Sequence, residues 1–266
     1  MPLNPRVRPY DNVLLDLDGC VWVGDEALPG AAEAVAALRE EGKKILFLTN
    51  DVRHPPEGFV RKLWKLGVQA SLDEVLSVGS AVQFWLAERY SGTAYVVGAQ
   101  ALVDHVADAG LRVVNNTPFA SRADVVVVAG HDDLVFDELK IATQAVIRGA
   151  ELIGATRDAN FPMPDGAWPG TGAVLAAIEV ASGRQADFVV GKPEAVMYAA
   201  ALDRLGSGRS LGVGDRLDVD VAGARRAGLD SALVLTGATS REQADAAQPR
   251  PTHVADSLGR LVLADG

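Results

Sequence analysis

The sequence predicts a parallel α/β protein in which a smaller α/β domain is inserted into a larger one. Three observations carry that expectation. Short apolar, β-rich runs alternate with alanine-rich helical segments along the whole chain of 266 residues. Four of those runs, in the outer parts of the chain, end in polar residues suited to phosphate or metal chemistry. The middle stretch carries a strand–helix rhythm of its own.

Taken in order, strands are expected at 13–18, 44–49 and 74–78. Between the first two lies PGAAEAVAALREEG, where Pro29 suits a helix start and Gly42 a stop, with Ala34, Val35 and Leu38 supplying the apolar face. In the middle, TAYVVGA (93–99) reads as a strand and ALVDHVADAG as a helix. ADVVVVAG (123–130) reads as a buried strand, FDELKIATQAVIRGA (136–150) as an amphipathic helix and ELIGAT as another strand. A Pro/Gly-rich loop, FPMPDGAWPGTG (161–172), precedes the helix AVLAAIEVASG. The pattern then resumes with strands at 187–191, 210–214 and 231–235 and a helix near 219–227 that stops at Gly228. This assigns 1–78 and 187–266 to a discontinuous core and 79–186 to the insert. Neither a Ser/Gly-rich linker nor a short repeat marks the joints.

Composition narrows the function. A net charge of −10 argues against a nucleic-acid polymer or an anionic membrane as the main partner, and it requires local cations at any phosphate site. Cys20 is the single cysteine, so an intramolecular disulfide and a thiolate metal cluster are excluded. The four histidines are scattered without ligand spacing. No apolar run precedes Val13 and none approaches the roughly 20 residues of a membrane span, so a cytoplasmic location is the expectation.

The most informative segment is Val13-Leu14-Leu15-Asp16-Leu17-Asp18-Gly19. Residues two apart on a strand share a side, so Asp16 and Asp18 can converge at its carboxyl end, and Gly19 permits a sharp turn there. Two anions so close call for a cation, which points to a hard metal ion and phosphoryl chemistry. Three further segments end at the same kind of position, where ligands bind in open α/β sheets. ILFLTN supplies Thr49 and Asn50, FVVGKP supplies Lys192, and LGVGDRLDVD supplies Asp215 and Asp220. Each has a plainer reading: Thr49-Asn50 as a cap or turn, Lys192 as a solvated lysine, Asp220 as first-turn charge. Asp218 reads as a helix N-cap outside the site. GKPE lacks the GxxxxGK[ST] spacing of a Walker loop, and no GxGxxG follows a strand, which leaves a dinucleotide-binding dehydrogenase without its motif.

Together, DLDG, LTN, VVGKPE and GVGDRLDVD resemble the four motifs of the haloacid dehalogenase superfamily. They look most like its phosphatases with an α/β cap inserted between the second and third motifs, on a Rossmann-like core. ATRDANFPMPDGAWPGTGAVLAAIE is similar to the cap of the p-nitrophenylphosphatase-like (NagD-like) branch. Two departures stand out: Asp51 follows Asn50 where the branch usually has a second Asn, and Cys20 stands where Thr or Val is common. The cap loop is also one residue shorter before Arg157-Asp158.

The resemblance implies a Mg²⁺-dependent hydrolase of small phosphate monoesters. Asp16 would be the nucleophile and Asp18 the acid and base. Thr49, Asn50 and Lys192 would hold the phosphate. Asp16, Asp215 and the backbone carbonyl of Asp18 would ligate Mg²⁺, with Asp220 acting near the metal. Arg157 and Asp158 are the first candidates for contacts to the leaving group, and an exposed ion pair is their plainer reading. Cys20 is expected to pack as a small apolar residue. A small phosphorylated metabolite is the expected partner, and a homodimer through the cap rests on the resemblance alone. The alternatives are a phosphomutase of the same superfamily and a phospho-aspartate receiver switch. A receiver is about half this length, carries no cap and has no need of Asp18.

Overall fold

The strand Asn12–Asp16 lies inside a six-stranded sheet, between Ser210–Gly214 on one side and Lys44–Thr49 on the other. Both neighbours run parallel to it, with Val13 opposite Leu211 and Ile45. The computed structural model describes residues 2–163 and 166–264. The sheet continues outward through Asp230–Val234 and His253–Ala255 on one flank and through Val75–Ser77 on the other. Parallel strands covered on both faces need apolar side chains on both, which is why VLL, ILFL and ALV read as unbroken apolar runs. Val13, Leu14, Leu15, Ile45, Leu46 and Phe47 are all buried.

The helix Ala31–Glu40 buries Ala31, Ala34, Val35, Ala37 and Leu38, the single stripe its spacing predicts. It begins after Gly30, in a left-handed conformation, rather than at Pro29. The helix Pro56–Lys65, which is not among the elements the sequence predicts, does start on a proline and buries Phe59 and Leu63, four apart. A short hairpin, Trp22–Val23 with Glu26–Ala27, follows the first strand.

The chain divides into two compact units: 1–49, 56–76 and 192–266 form the first, and 50–55 with 77–191 form the second. The second holds a five-stranded sheet in the order Phe188–Val189, Glu151–Gly154, Val125–Val128, Thr93–Val97, Arg112–Val113, parallel at every pairing. Its helices are Val78–Ala87, Gln100–Asp108, Phe136–Ile147 and Thr171–Ser182. Two differences from the sequence reading have physical causes. Phe188–Val189 pairs with Glu151–Gly154, so this strand closes the second sheet, whereas the sequence assigned it to the core. Most of the Pro/Gly-rich stretch read as a loop pairs as an antiparallel ribbon, Asn160–Met163 with Gly166–Pro169. A two-stranded ribbon leaves one edge of each strand unpaired, and prolines are tolerated there. Pro164 and Asp165 of that stretch lie outside the described residues. Among the described residues, no helix is long and apolar enough to cross a membrane.

Candidate active site

Three adjacent parallel strands bring functional side chains to one edge of the first unit's sheet. Asp16 ends the central strand, Thr49 ends its neighbour on one side, and Asp215 follows the neighbour on the other. Asp220 arrives from a π-helical turn, Leu217–Val221, an uncommon local geometry that recurs at functional sites. That turn sits close on the strand: a Cβ on Gly214 would lie 2.2 Å from Asp220 Cγ, so only glycine fits. One carboxylate oxygen from each of Asp16, Asp215 and Asp220 lies within 4.8 Å of the others. Lys192, only 4 % exposed, donates to Asp16 Oδ1 at 2.5 Å and Asp220 Oδ1 at 2.8 Å. Thr49 is buried at the end of the neighbouring strand, one residue past Leu48, the register partner of Asp16.

The electrostatics define what this cluster can hold. Burial first, then the charge of Asp220, push the Asp16 carboxyl well above the usual carboxylate range, against the opposing pull of Lys192. Burial also raises Asp215, although the Ala238 N–H donates to its Oδ2 at 2.6 Å. Burial alone would lower the Lys192 ammonium, but Asp16 and Asp220 outweigh it and hold its pKa well up. Fully ionised, the three carboxylates would face one ammonium with an excess of two negative charges. That excess and an all-oxygen donor set fit a hard divalent cation.

Asp18 is exposed, and its Oδ1 accepts the Trp22 indole N–H at 2.7 Å. Gly19 has φ +77°, the left-handed turn expected after the second aspartate. Several supporting residues were not singled out from the sequence. Tyr198 donates to the Asp220 carbonyl at 3.0 Å, and Thr236 donates to the Gly19 carbonyl at 2.6 Å. A Cβ on Gly237 would lie 2.0 Å from Asp215 Oδ2. The signal for Thr236, Gly237 and Ala238 was present: they follow the apolar strand Asp230–Val234 at the same sheet edge. Asp218 does not cap a helix. It lies inside the π-turn with its side chain 72 % exposed and paired with Arg216 at 2.9 Å. Cys20 is fully buried in the apolar core, as expected.

Asn50, Arg157 and Asp158 belong to the second unit. There Asn50 Nδ2 donates to Asp158 Oδ2 at 3.0 Å. The Arg157 guanidinium bonds Glu179, a buried carboxylate that also accepts the Ala186 N–H. Arg157 is therefore engaged in an ion pair within its own unit. Asp51 accepts from the Arg53 backbone at 2.8 Å and from its guanidinium at 2.9 and 3.0 Å, with His54 Nδ1 at 3.3 Å. Burial opposes its charge, but the bonds from His54 and Arg53 prevail and depress its pKa far below the usual carboxylate range.

A depressed carboxylate stabilises the fold above its unfolded pKa, and that contribution is lost as pH falls through the folded value. Asp51→Asn is accordingly expected to cost about 1–3 kcal/mol at neutral pH. Urea denaturation should show the gap to wild type closing below a pH of about 3.8. A gap unchanged across that range would mean the Asp51 charge is not what holds the segment.

Comparison with known proteins places this geometry. A family model for haloacid dehalogenase-like hydrolases matches residues 13–112, and a second, HAD-hydrolase-like model matches 189–261. The sugar-phosphatase AraL of Bacillus subtilis is 34% identical over 249 residues, covering 92% of this chain and 90% of its own. A glycerol phosphate phosphatase from Mycobacterium tuberculosis, solved with magnesium, is 33% identical at a TM-score of 0.90. That match covers 98% of this chain and 78% of that one. A p-nitrophenyl phosphatase from Archaeoglobus fulgidus is 32% identical at a TM-score of 0.87, covering 95% and 98%. The chain belongs to the haloacid dehalogenase-like hydrolases, in their p-nitrophenylphosphatase and NagD-like branch. It is a phosphatase, and the superfamily and branch expected from the four motifs are the ones found.

Proposed function

We propose that this protein is a Mg²⁺-dependent phosphatase of small phosphate monoesters that works through an aspartyl-phosphate on Asp16. The observation that carries the reading is the convergence of Asp16, Asp215 and Asp220 within 4.8 Å, with Lys192 buried against two of them. Asp16, Asp215 and the backbone carbonyl of Asp18 would hold Mg²⁺, with Asp220 close by. When bound, the cation offsets the excess negative charge and draws charge from the phosphate oxygens. Asp16 attacks phosphorus and its oxygen–phosphorus bond forms as the bond to the leaving oxygen breaks. Lys192 and Thr49 hold the other phosphate oxygens and stabilise the charge that develops on them. Asp18 gives its proton to the leaving alkoxide. It then takes one from the water that displaces Asp16 and releases inorganic phosphate.

The named relatives act on sugar phosphates, glycerol phosphate and p-nitrophenyl phosphate, which supports a small ester of that class here. Phosphoglycolate and nucleoside monophosphates belong to the same candidate set, and Asn50 and Asp158 are the second unit's candidates for substrate contact. A cytoplasmic enzyme that pairs through its cap completes the reading.

The test is phosphate release from a panel of such esters, with and without Mg²⁺ and with a chelator. Mg²⁺-dependent release from at least one ester is expected. An isomerised product without free phosphate would point to the mutase instead. The same cation should raise the melting temperature at neutral pH: a ligand at 100 times its Kd contributes about 2.7 kcal/mol. Because the Asp16 pKa is raised, its ionisation costs stability above the unfolded carboxylate pKa, and acidification relieves that cost by protonating it. The stabilisation by Mg²⁺ should therefore shrink as pH falls, since a proton then does part of the cation's work. Equal stabilisation at all pH values would separate the cation from this cluster.

A further inference from the structure

Trp22 follows Asp18 by four residues, in the first strand of the short hairpin Trp22–Val23/Glu26–Ala27. Backbone pairing pins that hairpin to the catalytic loop. Gly19 N–H donates to the Trp22 carbonyl at 2.7 Å, Trp22 N–H donates to the Leu17 carbonyl at 3.1 Å, and Asp18 and Trp22 form a β-bridge. The indole is packed in the core and the residue is 1 % exposed. A buried indole N–H needs an acceptor. Here the acceptor is Oδ1 of Asp18, at 2.7 Å. The Lys62 ammonium lies over the ring, 4.4 Å from its centroid. A cation on the π face draws ring density towards itself and makes the indole N–H a stronger donor.

We propose that Trp22 is a positioning residue for the acid–base carboxyl Asp18: its N–H occupies Oδ1, fixes the carboxyl plane and leaves Oδ2 to carry the transferable proton. The inference rests on the role given to Asp18 above. An indole N–H can donate but never accept, so a proton on Oδ1 would face another proton. When Asp18 carries the proton, the bond therefore places it on Oδ2. In the first step it passes from Oδ2 to the leaving oxygen as the P–O bond breaks, and Asp18 becomes a carboxylate. In the second, Oδ2 takes a proton from water as the water oxygen bonds phosphorus and the Asp16–phosphorus bond breaks. The Trp22 N–H holds Oδ1 through both steps.

The test uses the difference between leaving groups. An alkoxide needs a proton to depart, whereas p-nitrophenolate leaves without one, and kcat/KM covers only the steps up to departure. Wild type and Trp22→Phe, as full chains with Mg²⁺, are compared on p-nitrophenyl phosphate and on the best alkyl phosphate of the panel. For the alkyl ester, kcat/KM should fall about tenfold or more, a part of what general acid catalysis supplies. The p-nitrophenyl ester should change by less than about threefold. A second variant, with Trp22 replaced by benzothienylalanine, keeps the ring's shape and loses only the N–H, so it should show the same split even if Trp22→Phe folds poorly. Equal losses on both esters, or no loss on either, in the isosteric variant would overturn the inference. If wild type releases phosphate from neither ester, the phosphatase chemistry assigned to the site fails first and the inference falls with it.

Discussion

Asp16→Asn should leave a folded protein with no measurable turnover, a loss of about 10⁴-fold or more, as expected when a nucleophile is removed. The amide has the shape of the carboxylate and can still accept from Lys192, but it cannot form an acyl-phosphate that water cleaves. Stability should not fall with activity. Burial and the Asp220 charge both disfavour an ionised Asp16, so a neutral side chain relieves repulsion that the native site retains for its chemistry. The melting temperature of Asp16→Asn in the absence of Mg²⁺ should equal or exceed that of wild type. Asp18→Asn makes the contrasting case. It removes proton transfer but keeps the nucleophile, so turnover should drop by only about 10²–10⁴-fold. Substantial activity in Asp16→Asn would remove Asp16 from the nucleophile's role, and equal losses in the two variants would erase the distinction between them.

The site was legible because a parallel sheet collects its carboxyl ends on one edge. Asp16, Thr49 and Asp215 each close an apolar run, and once those runs are adjacent strands the three residues must be neighbours. Lys192 reaches the site by a partly different route from the one its sequence suggests. The run before it does form a strand, but that strand belongs to the other sheet, and the lysine is the first residue of the chain's return to the first unit. What sequence patterns did not give were contacts whose partners have no fixed spacing. The Tyr198 hydroxyl reaches a carbonyl 22 residues away, and Thr236 reaches one 217 residues away. Trp22 is close to Asp18 in sequence, yet its hydrogen bond exists only because the hairpin turns the indole back. Asp218 reads as a cap because it precedes a helical pattern. The chain instead enters that helix through a π-turn, which sets Asp220 inward and Asp218 outward.

Lys192→Met should be the single change most damaging to stability, and it should lower catalysis as well. Methionine fills similar volume, so the loss is that of the charge and its hydrogen bonds. Lys192 is held at 2.5 Å from Asp16 and 2.8 Å from Asp220, with both partners shielded from water. Removing one member of a buried pair leaves the others uncompensated, which typically costs about 3–5 kcal/mol. Activity should fall by at least about 10²-fold, because the positive charge proposed to meet the phosphate oxygens is lost. Denaturation midpoints and phosphate release measure the two effects separately, and a second substitution shows why they differ. Adding Asp220→Asn to Lys192→Met removes one of the stranded charges, so part of the lost stability should return. Catalysis should not return, since the phosphate still lacks its cationic partner. Residues in one network are expected to be non-additive in this way. If Lys192→Met were as stable as wild type, the carboxylates would have to be protonated or solvated without it. If the double variant regained activity, Lys192 would be serving Asp220 and not the phosphate.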